Sequence, residues 1–137
     1  MTHALVVDDS RSMRSILGRI LRGFGMDVEE APDGRAALDR LVEGERPDVA
    51  LVDWHMPNMT GVELVSEVRS RPELAGMTIV MVTSESEPDQ IGLALAAGAD
   101  EYIIKPFTPD AVADKLAMLG IGPGASGCNQ TGEGTAP

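Results

Sequence analysis

The sequence predicts a doubly wound α/β fold, in which helices cover both faces of a five-stranded parallel sheet. Short apolar segments alternate with longer amphipathic segments, and this alternation is repeated five times along the chain. Repeated strand–helix units of this kind are typical of parallel α/β folds. Most of the short segments are wholly apolar, without the polar alternation of a half-exposed sheet, which indicates strands that are buried on both faces.

The strands are predicted from short runs that end at a polar residue or a turn. They cover residues 4–7, 27–31, 49–52, 78–82 and 102–104. The second run is the weakest candidate of the five. Together the runs supply the strands of one sheet.

Between and after the strands, apolar residues recur at the spacing of an amphipathic helix. Glycines end the first and fourth helices, and Thr108 caps the fifth. In chain order, the predicted helices run from about Met13 to Phe24 before Gly25, from Asp33–Gly34 through Leu41, from Val62 to Val68 after the Pro57–Gly61 loop, from Pro88 to Ala97 before Gly98, and from Thr108 to Leu119. Pro88 is acceptable because the first turn of a helix tolerates proline.

Length, charge and cysteine content exclude several classes of function. A chain of 137 residues suits one compact domain, and 43% hydrophobic residues suffice for a core. The formal net charge of −11 repels phosphate backbones and anionic lipid, so we expect neither direct nucleic-acid binding nor membrane insertion. Cys128 is the only cysteine, and we find neither a signal peptide nor an apolar run of membrane-spanning length. We therefore expect a cytoplasmic protein.

The composition divides the chain into a folded domain over residues 1–120 and a disordered tail over residues 121–137. From Gly120 onward, Gly, Ser, Thr, Pro and Ala dominate without hydrophobic periodicity. Such a segment buries too little apolar area to offset its conformational entropy. Nothing in its sequence supports a docking role for this tail.

Polar side chains follow four of the five predicted strands. They are Asp8 and Asp9, Asp53, Thr83 and Lys105. In a doubly wound sheet the ligand lies at the carboxyl ends of the strands. Each residue alone has an ordinary explanation as a helix cap, a solvated acid, a strand residue or a surface charge. Their convergence at one edge instead predicts a functional site.

Three crowded carboxylates repel one another and favour a bound cation, and Mg²⁺ prefers oxygen ligands of this kind. Asp53 could then act as a nucleophile that forms an acyl phosphate. Lys105 and Mg²⁺ would stabilise charge on the transferred phosphoryl group, and the Thr83 hydroxyl could donate to one of its oxygens. These residues therefore predict Mg²⁺-dependent phosphorylation of Asp53.

Four sequence motifs resemble those of bacterial response-regulator receiver domains. They are Asp8–Asp9, the segment VDWHMPNMTG with Asp53, the segment VTS with Thr83, and the segment GADEYIIKPF with Lys105. The resemblance covers about Leu5 to Leu119, and the Asp53 segment is most similar to the single-domain, CheY-like chemotaxis type. It implies a flavodoxin-like (βα)5 fold and a monomeric two-component signalling protein. Such a protein is no ordinary enzyme, since it catalyses only its own phosphorylation and dephosphorylation.

The resemblance also implies a role for each residue of the metal site. Asp53 matches the phosphoacceptor and a metal ligand, Asp9 a direct Mg²⁺ ligand, and Asp8 a ligand acting largely through water. His55 occupies the position whose main-chain carbonyl binds the metal, and an imidazole ligand is the alternative. The side chains of His55 and Glu85 would tune the lifetime of the phosphoryl group.

Thr83 and Lys105 match the two residues that contact the phosphoryl oxygens in this family. Tyr102 matches the aromatic residue that moves inward when Thr83 is drawn toward the phosphate, so these two residues would form the switch. The Lys105–Pro106 peptide bond is expected to be cis, which would direct Lys105 toward the site.

The phosphoryl donor implied by the resemblance is a histidine kinase similar to CheA. Output would be a protein contact on the face of helix four, strand five and helix five. The residues expected there are Ile91, Leu95, Tyr102 and Lys115. For a chemotaxis regulator the expected partner is the flagellar switch, whereas a phosphorelay shuttle or another single-domain regulator would use the same chemistry.

Two other functions fit the sequence less well. A hydrolase with an aspartyl-phosphate intermediate usually carries a second acid two residues after the nucleophile, where this chain has His55. A flavin-binding protein needs a phosphate-binding loop after the first strand, where Asp8 and Asp9 would repel a phosphate.

Two groups of residues each allow two interpretations. The arginines of the first helix form either a solvated face, which we favour, or a docking surface for an acidic region of a kinase. These arginines are Arg11, Arg14, Arg19 and Arg22. Trp54 and Met56 either pack over the site, which we favour, or contact a partner.

Overall fold

Five strands alternate with five helices in a computed structural model of the chain, which describes residues 2–44, 46–54, 56, 59–74, 76–84 and 88–121. The strands are β1 (His3–Val7), β2 (Asp27–Ala31), β3 (Val49–Asp53), β4 (Thr78–Thr83) and β5 (Glu101–Ile104). The helices are α1 (Arg11–Gly23), α2 (Gly34–Glu43), α3 (Gly61–Arg69), α4 (Pro88–Ala97) and α5 (Pro109–Met118). Within these residues, no helix combines the length and the apolar character needed to cross a membrane.

All five strands lie in one parallel sheet with the order β2-β1-β3-β4-β5. The predicted doubly wound, flavodoxin-like fold is therefore confirmed. Because β1 pairs with β2 on one side and with β3 on the other, the sheet grows in opposite directions from β1. This reversal is the topological switch point, beside which open α/β sheets bind their ligands.

The strands are apolar because helices cover both faces of the sheet. Along β1, Leu5 and Val7 pack into the hydrophobic cluster beneath α2, α3 and α4. Ala4 and Val6 alternate with them and pack into the second cluster, beneath α1 and α5. Both sets of side chains are buried, so the polar alternation of a half-exposed strand is absent from β1.

Short polar side chains begin four of the helices. The N-cap residues, whose side-chain oxygens accept a hydrogen bond from a backbone N–H three residues later, are Ser10, Asp33, Thr60 and Thr108. At α3, the Glu63 carboxylate in turn accepts from the Thr60 N–H at 2.8 Å, which completes a capping box. The predicted cap at Thr108 is confirmed. Gly25 and Gly98 follow the ends of α1 and α4 with φ of +88° and +124°, where glycine is favoured.

Two strands continue one residue past the carboxyl end of their apolar runs. β3 continues to Asp53, which pairs with Val82, and β4 continues to Thr83, which pairs with Ile104. Backbone pairing with the neighbouring strand therefore extends past the apolar residues. As a result, both functional candidates are the last residues of their strands.

Arg69 contacts the two segments that lead into β4 and β5 at the amino end of the sheet. Its Nη1 donates to the Met77 carbonyl at 2.6 Å, its Nε donates to the Gly98 carbonyl at 2.9 Å, and its Nη2 lies 2.9 Å from Asp100 Oδ2. The same Asp100 oxygen accepts from the Ile79 N–H at 2.8 Å. Arg69 thus ties the end of α3 to the starts of β4 and β5.

Ile121 still belongs to the packed part of the chain. Its N–H donates to the Leu116 carbonyl at 2.8 Å, and its side chain packs against the cluster beneath α1 and α5. Residues 122–137, which make up most of the predicted tail, lie outside the described residues.

Gly61→Ala should destabilise the protein, because Gly61 lets the start of α3 approach β3 closely. A Cβ atom at this position would overlap with the Asp53 carbonyl oxygen and lie 2.8 Å from Met81 Cε. The backbone oxygen cannot move without shifting the end of β3. We expect a loss of about 1–3 kcal/mol in the free energy of unfolding, measured by urea denaturation.

Gly92→Ala is the matched control for this variant, since a Cβ at Gly92 would have no atom of the described residues within 4 Å apart from the adjacent backbone of its own helix. That substitution should be neutral or stabilise the protein by up to about 1 kcal/mol. Equal stability of the two variants would contradict the close approach at Gly61.

Candidate metal centre

Three carboxylates meet at the carboxyl edge of the sheet. Asp8 follows β1 and Asp53 ends β3; these strands pair in register up to Val7 and Val52, so the two aspartates are neighbours. One oxygen from each of Asp8, Asp9 and Asp53 lies within 4.8 Å of the others. Asp8 is 1% exposed and Asp53 is 6% exposed, whereas Asp9 is exposed. Buried carboxylates are rare unless they are paired or bind a metal, so this edge needs a compensating positive charge.

Lys105 supplies part of that charge. Its Nζ lies 3.1 Å from Asp53 Oδ1 and 3.5 Å from Asp8 Oδ2. Its backbone N–H donates to the Thr83 carbonyl at 2.7 Å, and the Lys105–Pro106 peptide bond is cis. The ammonium group therefore lies between the two buried carboxylates, on a backbone that is attached to the end of β4.

Asp8 is restrained by its backbone and by its side chain. Its N–H donates to the Ala31 carbonyl at 3.1 Å, and its Oδ1 accepts from the Ser10 N–H at 2.8 Å. Burial is the main cause that raises the pKa of Asp8, and the carboxylates of Asp53 and Asp9 add to the increase. The Ser10 N–H and Lys105 lower this pKa but do not cancel the effect of burial.

The donor set fits a hard cation. Three carboxylates face one ammonium group, which leaves an excess of negative charge at the edge. Asp8 Oδ2 is buried and accepts no hydrogen bond from the described residues, which leaves it available as a ligand. Mg²⁺ binds through a few carboxylate oxygens and keeps several waters, so Asp8, Asp9 and Asp53 could hold this ion.

Thr83 and Tyr102 lie on the two strands at one side of the metal centre. Thr83 is 2% exposed at the end of β4 and pairs with Ile104 of β5. Tyr102 lies two residues earlier on β5, opposite Met81, and is half-buried. The two proposed switch residues are thus on adjacent, hydrogen-bonded strands.

The segment after Asp53 packs inward where the structure describes it. Met56 is 8% exposed and belongs to the cluster beneath α2, α3 and α4, and Trp54 packs against the same cluster. Both side chains therefore pack against this hydrophobic cluster, and their packing over the site itself stays a prediction. His55 and Glu85, whose side chains are expected to affect phosphate lifetime, lie outside the described residues.

The prediction of a solvated arginine face on α1 is wrong for Arg14. Arg11, Arg19 and Arg22 are exposed, but the Arg14 side chain is only 16% exposed. Its Nη1 donates to the Asp8 carbonyl at 2.7 Å, and its Nε lies 3.4 Å from Glu30 Oε1. The spacing of residues along α1 does not distinguish Arg14 from the exposed arginines of the helix, because its partners Asp8 and Glu30 lie outside α1.

This topology, with three acids and a lysine at the carboxyl edge, defines a class of α/β signalling domain, and comparison with known families agrees. A model of the response regulator receiver domain matches residues 4–117. The chain therefore belongs to the response-regulator receiver family.

Several relatives are chemotaxis proteins. A chemotaxis protein CheY homolog of Campylobacter jejuni is 45% identical over 122 residues, which cover 88% of this chain and 94% of that protein. The chemotaxis protein CheY1 of Helicobacter pylori is 40% identical, and the match covers 84% of this chain and 94% of the relative. The structure of the chemotaxis response regulator CheY4 of Vibrio cholerae is similar, with a TM-score of 0.82 and 37% identity, and covers 87% of this chain and 98% of that one.

Asp8→Asn should raise the thermal stability of the metal-free protein at pH 7. Burial raises the pKa of Asp8 above its ordinary value of 3.8, so the folded state disfavours the ionised carboxylate. The folded protein therefore binds the carboxyl proton of Asp8 more tightly than the unfolded chain does. The stability of the fold falls as the pH rises above 3.8 and through the pKa of Asp8 in the folded state. Asparagine keeps an oxygen for the Ser10 N–H and removes this cost. Calorimetry with a chelator present should show a higher Tm.

Asp39→Asn removes an exposed acid of α2 and serves as the control, with little expected change in Tm. The advantage of Asp8→Asn should shrink as the pH is lowered toward 3.8, where the wild-type carboxyl group becomes protonated. A lower Tm for Asp8→Asn at pH 7 would mean that the ionised carboxylate stabilises the fold.

Proposed function

We propose that this protein is a stand-alone response regulator in which Asp53 accepts a phosphoryl group from a histidine kinase in an Mg²⁺-dependent reaction. One observation carries the proposal. The buried Asp53 carboxylate has oxygens of Asp8 and Asp9 within 4.8 Å and Lys105 Nζ at 3.1 Å. A nucleophile, oxygen ligands for a cation and a fixed ammonium group are thus together at one edge.

The proposed transfer is a displacement at phosphorus. A carboxylate oxygen of Asp53 attacks the phosphoryl group of a phosphohistidine, and a P–O bond forms as the P–N bond breaks. The leaving histidine retains the electron pair of the broken bond and takes up a proton. The product is an acyl phosphate on Asp53, and no general base is required, because a carboxylate nucleophile has no proton to lose.

Several residues of the chain would stabilise the charge that develops. Lys105 and the Thr83 hydroxyl would contact the phosphoryl oxygens. Asp8, Asp9 and Asp53 would hold Mg²⁺, together with the main-chain carbonyl of His55 that the family resemblance implies. When bound, the ion would neutralise charge on the carboxylates and on the phosphoryl group.

The output contact is proposed on the face formed by α4, β5 and α5. Leu95 is exposed on α4 and Ile91 is half-buried there. Tyr102 of β5 lies with its ring centroid 4.7 Å from Lys115 Nζ of α5. Phosphorylation would shift an existing equilibrium between two arrangements of Thr83 and Tyr102, and so would change this face.

The relatives named as chemotaxis proteins support a role in chemotaxis. We propose a CheA-like kinase as the donor and the flagellar switch as the output partner, in the cytoplasm and with the regulator as a monomer. The chemistry of the regulator is limited to gain and loss of its own phosphoryl group. We assign this function to the receiver unit predicted over residues 1–120. Ile121 packs against this unit and is included in it, and we treat residues 122–137 as a separate tail.

Asp53→Asn should abolish labelling of the protein by acetyl phosphate in the presence of Mg²⁺, because the amide is not a nucleophile for phosphorus. Intact-mass spectrometry measures the gain of one phosphoryl group. Asp39→Asn, which alters an exposed acid of α2, should be labelled like the wild type. Labelling of the Asp53→Asn variant at a different residue would contradict the assignment.

Lys105→Ala should slow labelling by acetyl phosphate about 100-fold, since it removes one preorganised cation at the reacting group. It should also lower the Tm of the metal-free protein, because Asp8 and Asp53 lose the ammonium group between them. Lys115→Ala is the control: Lys115 is the chain's other lysine and pairs with Glu101 at 3.3 Å. If both lysine variants are labelled at the wild-type rate, Lys105 does not stabilise the transfer.

A further inference from the structure

We propose that Arg14 is a positioning residue for the metal centre, which fixes the peptide unit between Asp8 and Asp9 and thereby sets the affinity for Mg²⁺. The inference rests on the proposed function, because it gives a residue outside the carboxylate cluster a role in Mg²⁺ binding. The basis of the inference is that the Arg14 side chain reaches from α1 both to Glu30 on β2 and to Asp8 after the end of β1.

The contact with the site is a short hydrogen bond to the backbone. Arg14 Nη1 donates to the Asp8 carbonyl oxygen at 2.7 Å. That oxygen belongs to the planar peptide unit that joins Asp8 to Asp9, so holding it restrains the Cα atoms of both residues. One side of Asp8 is already fixed, since its N–H donates to the Ala31 carbonyl at 3.1 Å. Arg14 restrains the other side, which leads to Asp9.

The guanidinium group is itself anchored on β2. Arg14 Nε lies 3.4 Å from Glu30 Oε1, and Arg22 Nη2, two turns further along α1, lies 3.8 Å from Glu30 Oε2. Gly18 lies on the turn between these arginines, and a Cβ there would be 3.5 Å from Glu30 Oε2 and 3.1 Å from Arg22 Nη1. Glycine thus leaves room for the end of the Arg22 side chain, although glycine inside a helix costs about 1 kcal/mol relative to alanine.

The two contacts of Arg14 use different nitrogens of one rigid, planar group. Lysine has a single nitrogen on a flexible chain and cannot reproduce this geometry. In the contacts that the structure describes, Arg14 pairs with the carbonyl of Asp8 and not with a carboxylate of the metal centre. It therefore does not compete with a cation for its ligands.

Charge and positioning predict opposite effects of removing Arg14. Loss of a nearby positive charge should strengthen binding of Mg²⁺ by Coulomb attraction. Loss of a group that orients two ligands should weaken binding, by about tenfold or more for partners of metal ligands. The sign of the change in Kd therefore separates the two effects.

The test measures the Kd for Mg²⁺ of full-length variants by calorimetric titration with MgCl₂. The Tm of each variant is recorded separately in the presence of a chelator. We compare Arg14→Ala and Arg14→Lys with Arg19→Ala, which removes the same charge from an exposed position on the same helix. Arg14→Ala should bind Mg²⁺ about tenfold more weakly than the wild type. Arg14→Lys, which keeps the charge, should also bind more weakly, and Arg19→Ala should bind at least as tightly as the wild type.

The inference is overturned if the Arg14 variants bind Mg²⁺ as Arg19→Ala does, or if they lose only Tm. If Arg14→Ala does not fold, Arg14→Lys alone decides, because it preserves charge and most of the side-chain volume. Failure of the proposed function gives a different result: the wild type itself would not bind Mg²⁺, or Asp53 would not be labelled by acetyl phosphate.

Discussion

The candidate site depends on two carboxylates, Asp8 and Asp53, that are buried side by side where two parallel strands end. Their proximity follows from the register of β1 and β3, which pair up to Val7 and Val52. Burial of an ionised carboxylate costs on the order of several kcal/mol unless opposite charge compensates it. Lys105 Nζ lies 3.1 and 3.5 Å from the two carboxylates, so the position of β5 is as important to the site as those of β1 and β3.

Backbone contacts hold these groups at the edge of the sheet. Lys105 N–H donates to the Thr83 carbonyl at 2.7 Å, and Trp54 N–H donates to the Val82 carbonyl at 3.3 Å. The Gly61 N–H then donates to the Trp54 carbonyl at 2.9 Å, which joins the start of α3 to the end of β3. Groups on paired strand ends keep a fixed geometry that groups on free loops would not.

The fold and the convergence of the acids and Lys105 could be predicted because they follow from local patterns and one topological rule. Apolar runs located the strands, and the rule that ligands bind at the carboxyl ends brought the acids together. The role of Arg14 could not be predicted, because it depends on the rotation of α1 toward β2. The contacts of Arg69 could not be predicted either, because its partners lie up to 31 residues away in the sequence. His55 and Glu85 remain predictions from resemblance, outside the described residues.

Under the proposed function, the metal ligands Asp8 and Asp9 would be held in place, whereas the residues that contact the phosphoryl group would be able to move. The Asp8–Asp9 peptide is held from β2 and α1, by the Ala31 carbonyl and by Arg14. The residues proposed to contact the phosphoryl group lie elsewhere: Thr83 ends β4, and Lys105 directly follows β5, a strand of the proposed output face. Because the Lys105 N–H donates a hydrogen bond to the Thr83 carbonyl, the proposed shift of Thr83 toward a phosphoryl group would act directly on the strand that carries Tyr102. Under the proposed function, the backbone hydrogen bond between the ends of these strands would carry the signal, while the Ala31 carbonyl and Arg14 hold the Asp8–Asp9 peptide.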